Sequence, residues 1–329
     1  MKTRLLSRSD IQSFLTMGAC MDAVEGAFAD LASGKANMPQ RTPIRLEEEK
    51  GLVLFMPTHI RSLSALGAKI VTVYPDNPKN FELPSIYGTI LILDEKTGFP
   101  MGILEGGFLT AMRTGAVSGV ATKHMARKDA KAAMIFGTGV QAYAQILAVH
   151  EARPLEKLLT FSIDPQEKKD EFSKKVSDAI GVEVDQVSDP ADGVKRADIV
   201  VLATSAHDPI VDGDWFGPGV HINSIGSHAP GMRELDTKTV QKSRVICDLV
   251  DACKAEAGDL IIPCNEGAWN FDQAAGSLGD VVLGNVPGRT SDDETTLFKS
   301  VGLAIQDLSV AKAVYDQAVK QGVGTEFEF

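Results

Sequence analysis

The chain has 329 residues, 44% hydrophobic and 23% charged, an ordinary folded-protein composition with apolar material enough for two domains. Its 44 acidic against 33 basic residues give a formal net charge of -11. That balance disfavours nucleic acid or an anionic membrane as partner, because neutralising phosphates requires a concentrated basic face. No run of roughly eighteen apolar residues offers a bilayer span. The basic start, MKTRLLSRSD, is not followed by the apolar region of a secretory signal, so the expectation is a cytoplasmic protein with no membrane partner.

The four cysteines, Cys20, Cys247, Cys253 and Cys264, include no C-x-x-C pair and lack zinc-ribbon spacing. They read as reduced thiols, with no metal expected.

Residues 10–34 read as one amphipathic helix. Asp10 is its cap, Ile11, Phe14, Leu15, Met21, Val24, Phe28 and Leu31 recur at helical spacing, and Gly34 stops it. The period then changes. Residues 52–56 (LVLFM), 68–74 (AKIVTVY), 89–93 (TILIL) and 101–104 are short apolar or β-branched runs separated by turn residues, which predicts an antiparallel sheet region. A long helix follows from Leu109 to about Ala126.

Beyond it the pattern becomes strand, glycine loop, helix. Residues 132–136 (AAMIF) read as a buried strand, residues 137–148 open a helix, 158–163 form a second strand and 165–180 a charged amphipathic helix. Further strand runs lie at 198–203, 220–225 and 244–249. Strands alternating with helices predict a doubly wound parallel sheet. Residues 300–321 are helical again and lie beyond that pattern, so they are expected to return to the first domain. The fold class is α/β: a Rossmann domain over residues 121–302 and a discontinuous α+β domain of residues 1–120 and 303–329.

Gly137-Thr138-Gly139-Val140-Gln141-Ala142 is a G-x-G-x-x-A sequence between an apolar strand and a helix. In that context Gly137 permits the tight turn, Gly139 lets a pyrophosphate approach the backbone, and Ala142 allows close helix packing. Asp164, at the end of the second strand, can accept hydrogen bonds from ribose hydroxyls and would repel a 2′-phosphate, which favours NAD(H) over NADP(H). It could equally cap the following helix. Three cations stand out in the first domain: Arg45, Lys69 within an alternating apolar strand, and Arg113 opening a helix of small residues. Cations at such positions are costly unless an anion meets them, either a ligand or an internal carboxylate, or the side chain snorkels to the surface.

The segments Ala111-Met112-Arg113-Thr114-Gly115-Ala116-Val117-Ser118, the glycine turn, Gly219-Val220-His221-Ile222-Asn223-Ser224-Ile225-Gly226, Arg233-Glu234-Leu235-Asp236 and Phe298-Lys299-Ser300-Val301-Gly302 resemble, in order, the ornithine cyclodeaminase/mu-crystallin family. The resemblance implies a homodimer built through the first domain, with a nicotinamide cofactor, NAD, in the cleft. By motif matching, it assigns Arg45, Lys69 and Arg113 to the substrate. It assigns Ser85, Thr114, Gly137, Gly139, Val140, Gln141, Asp164, Thr204, Ser205, Asn223, Ile225, Gly226 and Ser300 to the cofactor.

Family members include cyclodeaminases, alanine dehydrogenase, and ketimine, pyrroline-carboxylate and iminosuccinate reductases. Cyclodeaminases carry an aspartate where this chain has His228, and an acidic residue before Met-Pro-Thr where it has Leu54 and Phe55. Cyclisation with loss of ammonia needs a base for the attacking amine, so losing both carboxylates counts against that activity.

The leading expectation is therefore hydride transfer from NADH to the imine carbon of a small α-imino acid. Arg113 and Arg45 would hold the carboxylate, Lys69 would supply the proton, and His228 is a further catalytic candidate. Iminosuccinate, met by extra charge from Arg41 and His228, and a cyclic ketimine such as pyrroline-2-carboxylate are comparable substrates. The alternatives are a cyclodeaminase-type ammonia-lyase and a non-catalytic ligand-binding protein.

Overall fold

The computed structural model describes residues 2–328, and its contacts divide the chain into two units, Met1–Arg113 with Leu303–Phe329, and Thr114–Gly302. The first unit runs β1 (Lys2–Leu6), α1 (Arg8–Gln12), α2 (Met17–Ala32), β2 (Ala36–Asn37), β3 (Thr42–Leu46), β4 (Gly51–Ile60), β5 (Ala65–Val73), α3 (Asn77–Asn80), β6 (Ile86–Leu93), β7 (Pro100–Glu105) and the start of α4 (Gly106–Met125). The chain returns to it with α12 (Ala304–Gln321) and β16 (Thr325–Glu328).

The single helix expected over residues 10–34 is two. Ser7, not Asp10, caps α1, and Asp10 is the third helical residue of a capping box, its carboxylate accepting from Ser7 N at 2.9 Å. Thr16 Oγ1 then accepts from Ala19 N at 3.2 Å and starts α2. Two side-chain acceptors satisfying two sets of helix-start N–H groups interrupt a periodicity that otherwise runs straight through.

The sheet of this unit has the order β16-β1-β7-β6-β5-β4-β2, with β3 also pairing β4. Strands β4 to β7 form an antiparallel meander, while β1 joins β7 in parallel and β16 closes on β1 antiparallel. The first strand escapes an apolar-pattern reading because its buried positions include Thr3 and Arg4. The Arg4 guanidinium is satisfied by Val323 O at 2.6 Å and by Glu326. Alternation along β5 buries Gly67, Lys69 and Val71 on one face. Val71 packs there with Met56 and Ala304, under α12.

The second unit continues α4 and then alternates strand and helix: β8 (Ala132–Phe136), α5 (Val140–Ala152), β9 (Lys157–Phe161), α6 (Gln166–Ile180), β10 (Val184–Gln186), α7 (Pro190–Lys195), β11 (Ile199–Leu202), β12 (His221–Ser224), α8 (Thr237–Lys242), β13 (Arg244–Cys247), α9 (Val250–Glu256), α10 (Gly258–Asn265), β14 (Gly276–Ser277), α11 (Leu278–Val282) and β15 (Thr296–Lys299). Every pairing in its sheet, ordered β10-β9-β8-β11-β12-β15-β13-β14, is parallel.

Period-two alternation divides its apolar residues between two cores. Met134, Phe136, Val200 and Leu202 enter one, and Ala133, Ile135, Ile199 and Val201 the other. The chain winds outward from β8 through β9 to β10, then returns to the opposite side of β8 as β11. That reversal puts the topological switch point at the carboxyl ends of β8 and β11, where doubly wound sheets bind ligands. Among the described residues, no helix is long and apolar enough to cross a membrane.

Candidate functional site

At the switch point Gly137 has φ +102°, a conformation that suits glycine, and a Cβ there would lie 2.9 Å from Ala203 O at the end of β11. A Cβ on Gly139 would meet nothing within 4 Å, so the turn leaves open space above its backbone. Gly139 is also the N-cap of α5 and gives it no side-chain cap, leaving the first N–H groups of the helix to an outside acceptor. A dinucleotide pyrophosphate fits that donor set.

Asp164 lies beside the turn. Its Oδ2 accepts from Thr138 Oγ1 at 2.5 Å and Ser162 Oγ at 2.8 Å, and Lys168 Nζ approaches Oδ1 at 3.1 Å. The Thr138 hydroxyl is the largest cause holding this carboxylate down at about 2. The acid is thus pre-set as an anion, with only an exposed lysine on its second oxygen.

In the first unit Lys69 and Arg113 are both buried and meet on one carboxylate. Lys69 Nζ lies 2.7 Å from Asp307 Oδ2, and Arg113 Nε donates to Asp307 Oδ1 at 2.9 Å. Arg113 Nη1 also donates to Gln306 Oε1 at 2.6 Å. Burial pulls the Lys69 ammonium from 10.5 to about 8, with Asp307 opposing that fall and Arg113 and Arg41 adding to it. Two cations share one internal anion, so the cluster keeps one formal positive charge.

A profile of the Ornithine cyclodeaminase/mu-crystallin family matches residues 1–322. The chain belongs to this family. It is 36% identical over 326 residues to a Delta(1)-pyrroline-2-carboxylate reductase of Bacillus cereus, covering 99% of each chain. A solved Delta(1)-pyrroline-2-carboxylate reductase of Thermococcus litoralis, in complex with NADH and L-proline, is 44% identical with TM-score 0.94, over 98% of this chain and 99% of that one. An archaeal alanine dehydrogenase dimer with bound NAD is 32% identical with TM-score 0.93 over the full length of both chains.

This ornithine cyclodeaminase/mu-crystallin family member carries a second buried charge cluster, in its Rossmann unit. Asp259 Oδ1 accepts from Glu234 N at 2.7 Å and Leu235 N at 2.9 Å, and Oδ2 from Ser224 Oγ and Lys299 Nζ, each at 2.8 Å. Glu234 Oε1 accepts from Thr204 N at 2.7 Å and Thr204 Oγ1 at 2.8 Å, while Oε2 accepts from Gly226 N at 2.8 Å. Burial and the neighbouring Asp259 push Glu234 above the usual carboxylate range, with Lys299 and the Thr204 donors opposing them. One carboxylate thereby ties the loop after β11 to the loop after β12. Gly226 has to be glycine for this, since a Cβ would come within 2.4 Å of Glu234 Oε1.

Among the other expected cofactor residues, Val140 is two-thirds exposed and Gln141 half-buried, both at the start of α5. Thr204 is half-buried and Ser205 exposed, just beyond β11. Asn223 and Ser300 are buried and bonded inward, to Thr122 Oγ1 at 3.0 Å and to Asp248 Oδ2 at 2.8 Å, and Ile225 is buried. The Thr114 carbonyl accepts from Gln145 at 2.8 Å, and the Ser85 carbonyl from Tyr74 N at 2.7 Å. Exposed His228 donates from Nδ1 to Gly226 O at 2.8 Å.

Arg45 lies on exposed β3 opposite Leu52, whereas Lys69 is opposite Met56, so four residues of β4 separate their registers, about 13 Å along the strand. Arg41, just before β3, rather than Arg45, joins Arg113 in the field at Lys69. Sequence reasoning passed over Asp307, Gln306, Thr138, Glu234, Asp259 and Lys299 as site residues. A signal existed for the first pair: Gln306 and Asp307 interrupt a helix start, AIQDLSVA, that is otherwise small or apolar.

Proposed function

We propose that this protein is an NAD(H)-dependent imino acid reductase, which in reverse is an amino acid dehydrogenase, acting on the C=N bond of a small α-imino acid. The observation that carries the reading is the surplus buried positive charge of the Lys69–Asp307–Arg113 cluster, suited to one substrate carboxylate. The relatives support the enzyme class, and the NADH and NAD complexes among them, with Asp164 poised as an anion, support NAD(H) over the phosphorylated form.

The bound nicotinamide supplies the hydride for the imine carbon. Arg113 holds the substrate carboxylate and aligns that carbon, which lowers the barrier through positioning. Lys69 keeps a proton on the imine nitrogen or delivers one, so the carbon stays electrophilic and the amine product leaves with hydride on carbon and proton on nitrogen. Near neutral pH its ammonium is mostly charged yet a stronger acid than an ordinary lysine, the range in which a general acid works best.

A cyclic ketimine, pyrroline-2-carboxylate, matches a single surplus charge. Iminosuccinate, with a second carboxylate, is the further reading that Arg41's field at Lys69 favours. Cyclodeamination is disfavoured, because Leu54, Phe55 and His228 put no carboxylate where an attacking amine would need one.

The deciding assay follows NADH oxidation with preformed pyrroline-2-carboxylate, and with oxaloacetate plus ammonia. Stoichiometric NADH loss is expected with one of them. Turnover of ornithine with no net change in NADH would establish the lyase instead, and tight NADH binding without any turnover the non-catalytic alternative.

A homodimer through the first unit is part of the proposal. Ile44, Phe55, Ile70, Ile86 and Tyr87 are exposed on its strands, with Phe55 and Ile70 directly opposed, an apolar set that asks for cover. Free cysteines, including neighbouring Cys247 and Cys253, accord with a cytoplasmic, reducing setting.

A further inference from the structure

Asp307 touches both substrate-site cations. It is almost wholly buried, and its two oxygens divide between Lys69 at 2.7 Å and Arg113 at 2.9 Å, on strand β5 and helix α4 respectively. A carboxylate so placed does two things. It fixes the guanidinium plane and the ammonium in a single mutual orientation, helped by the neighbouring Gln306 on Arg113 Nη1. It also lowers the free energy of the ammonium in a setting that otherwise penalises charge.

The groups facing this ammonium are Asp307 from α12, Arg113 from α4 and Arg41 from the segment before β3. The Cys20 thiol of α2 lies in the field of Arg113 and Asp307, and burial pushes it far above its usual range, so it stays neutral. Asp307 is therefore the negative partner set against two neighbouring positive ones.

We infer that Asp307 is a positioning residue of the substrate site, whose carboxylate aligns Arg113 with Lys69 and keeps the Lys69 ammonium in its proton-bearing form. The inference rests on the reading of Lys69 as proton donor. It predicts an unusual signature: removing the charge strengthens anion binding while weakening catalysis.

The test compares Asp307→Asn, Asp307→Glu, Lys69→Arg and the unmodified protein. Two readouts are taken across pH: kcat/KM for NADH-dependent imine reduction, and calorimetric binding of pyrrole-2-carboxylate, a planar carboxylate that cannot be reduced at a C=N bond. The unmodified enzyme should lose kcat/KM as pH rises through about 8, where Lys69 gives up its proton. In Asp307→Asn that alkaline limb should move down by at least about one pH unit. At pH 6, kcat should fall at least about tenfold, while pyrrole-2-carboxylate binds as tightly or more tightly, because one opposing negative charge has gone.

Asp307→Glu should return the limb to its place. If Asp307→Asn does not fold, that variant carries the test alone, and a limb displaced by a full unit despite the retained charge would overturn the inference. Lys69→Arg separates the two claims. If its alkaline limb persists unmoved, Lys69 is not the donor and the underlying reading fails. If Lys69→Arg loses the limb or all turnover, but Asp307→Asn leaves it in place and weakens both readouts together, Asp307 is only structural.

Discussion

The buried charge clusters around Lys299 and Lys69 are built to opposite ends. Around Lys299, one cation faces two carboxylates, and the four oxygens of Asp259 and Glu234 all accept from backbone N–H groups, hydroxyls or the ammonium itself. Around Lys69, two cations face one carboxylate, and positive charge is left over. Burial is alike in both, so depth alone does not separate a binding site from a scaffold. The sign of the excess charge and hydrogen-bond saturation do: a cluster whose carboxylate oxygens are all met by donors holds loops, and one left with excess positive charge awaits an anion.

The largest effect should come from opening the closed cluster. Lys299→Met removes the ammonium within 2.8 Å of Asp259 and leaves two buried carboxylates without a cation, which should cost roughly 3–5 kcal/mol in a denaturant titration. Lys69→Met should cost clearly less, because Arg113 still sits on Asp307. Equal losses would erase the distinction between the clusters.

Activity should rank the other way. Lys69→Ala is expected to reduce imine turnover by at least ~100-fold, as for a lost general acid, with NADH binding by fluorescence little changed. Near-normal turnover would show that the leftover charge serves something other than the reaction.

The same contrast explains what the sequence revealed. The runs at residues 132–136 and 199–202 are apolar on both faces, so a buried parallel strand is their natural reading, and the glycine turn follows in the required context. Lys69 is conspicuous as a cation at an inward position of an alternating strand. Its counter-ion lies 238 residues away in a helix, and which carboxylate of 44 acidic residues meets it is decided by tertiary packing alone. The capped break between α1 and α2 was hidden for a local reason, since Phe14 and Leu15 continue the helical spacing across it. Strands β1 and β16 pair with each other and carry polar residues, so no apolar period marks them.

Asp164 offers an intermediate case, a carboxylate whose charge is set from inside and presented outward. Asp164→Ser should improve the ratio of NADPH to NADH use by about tenfold, through lost ribose bonds and lost repulsion of a 2′-phosphate. With the wild-type carboxylate held at about 2, the preference should stay constant from pH 5 to pH 9. A preference that faded as pH fell toward 5 would mean another group sets it.

The smallest effect is expected at His228, and it sharpens the comparison by asking whether a third group belongs to the open cluster's chemistry. Its Nδ1–H donates to Gly226 O at 2.8 Å, on the loop that Glu234 anchors through Gly226 N. Read that way, the ring steadies a loop of the closed network and moves no proton. Losing one such bond is worth about 1 kcal/mol, so His228→Ala should lower kcat/KM by about fivefold. His228→Asn, whose amide can donate to the same carbonyl, should recover most of it. A loss beyond about 100-fold that Asn cannot rescue would instead assign the ring to proton transfer and place His228 with Lys69.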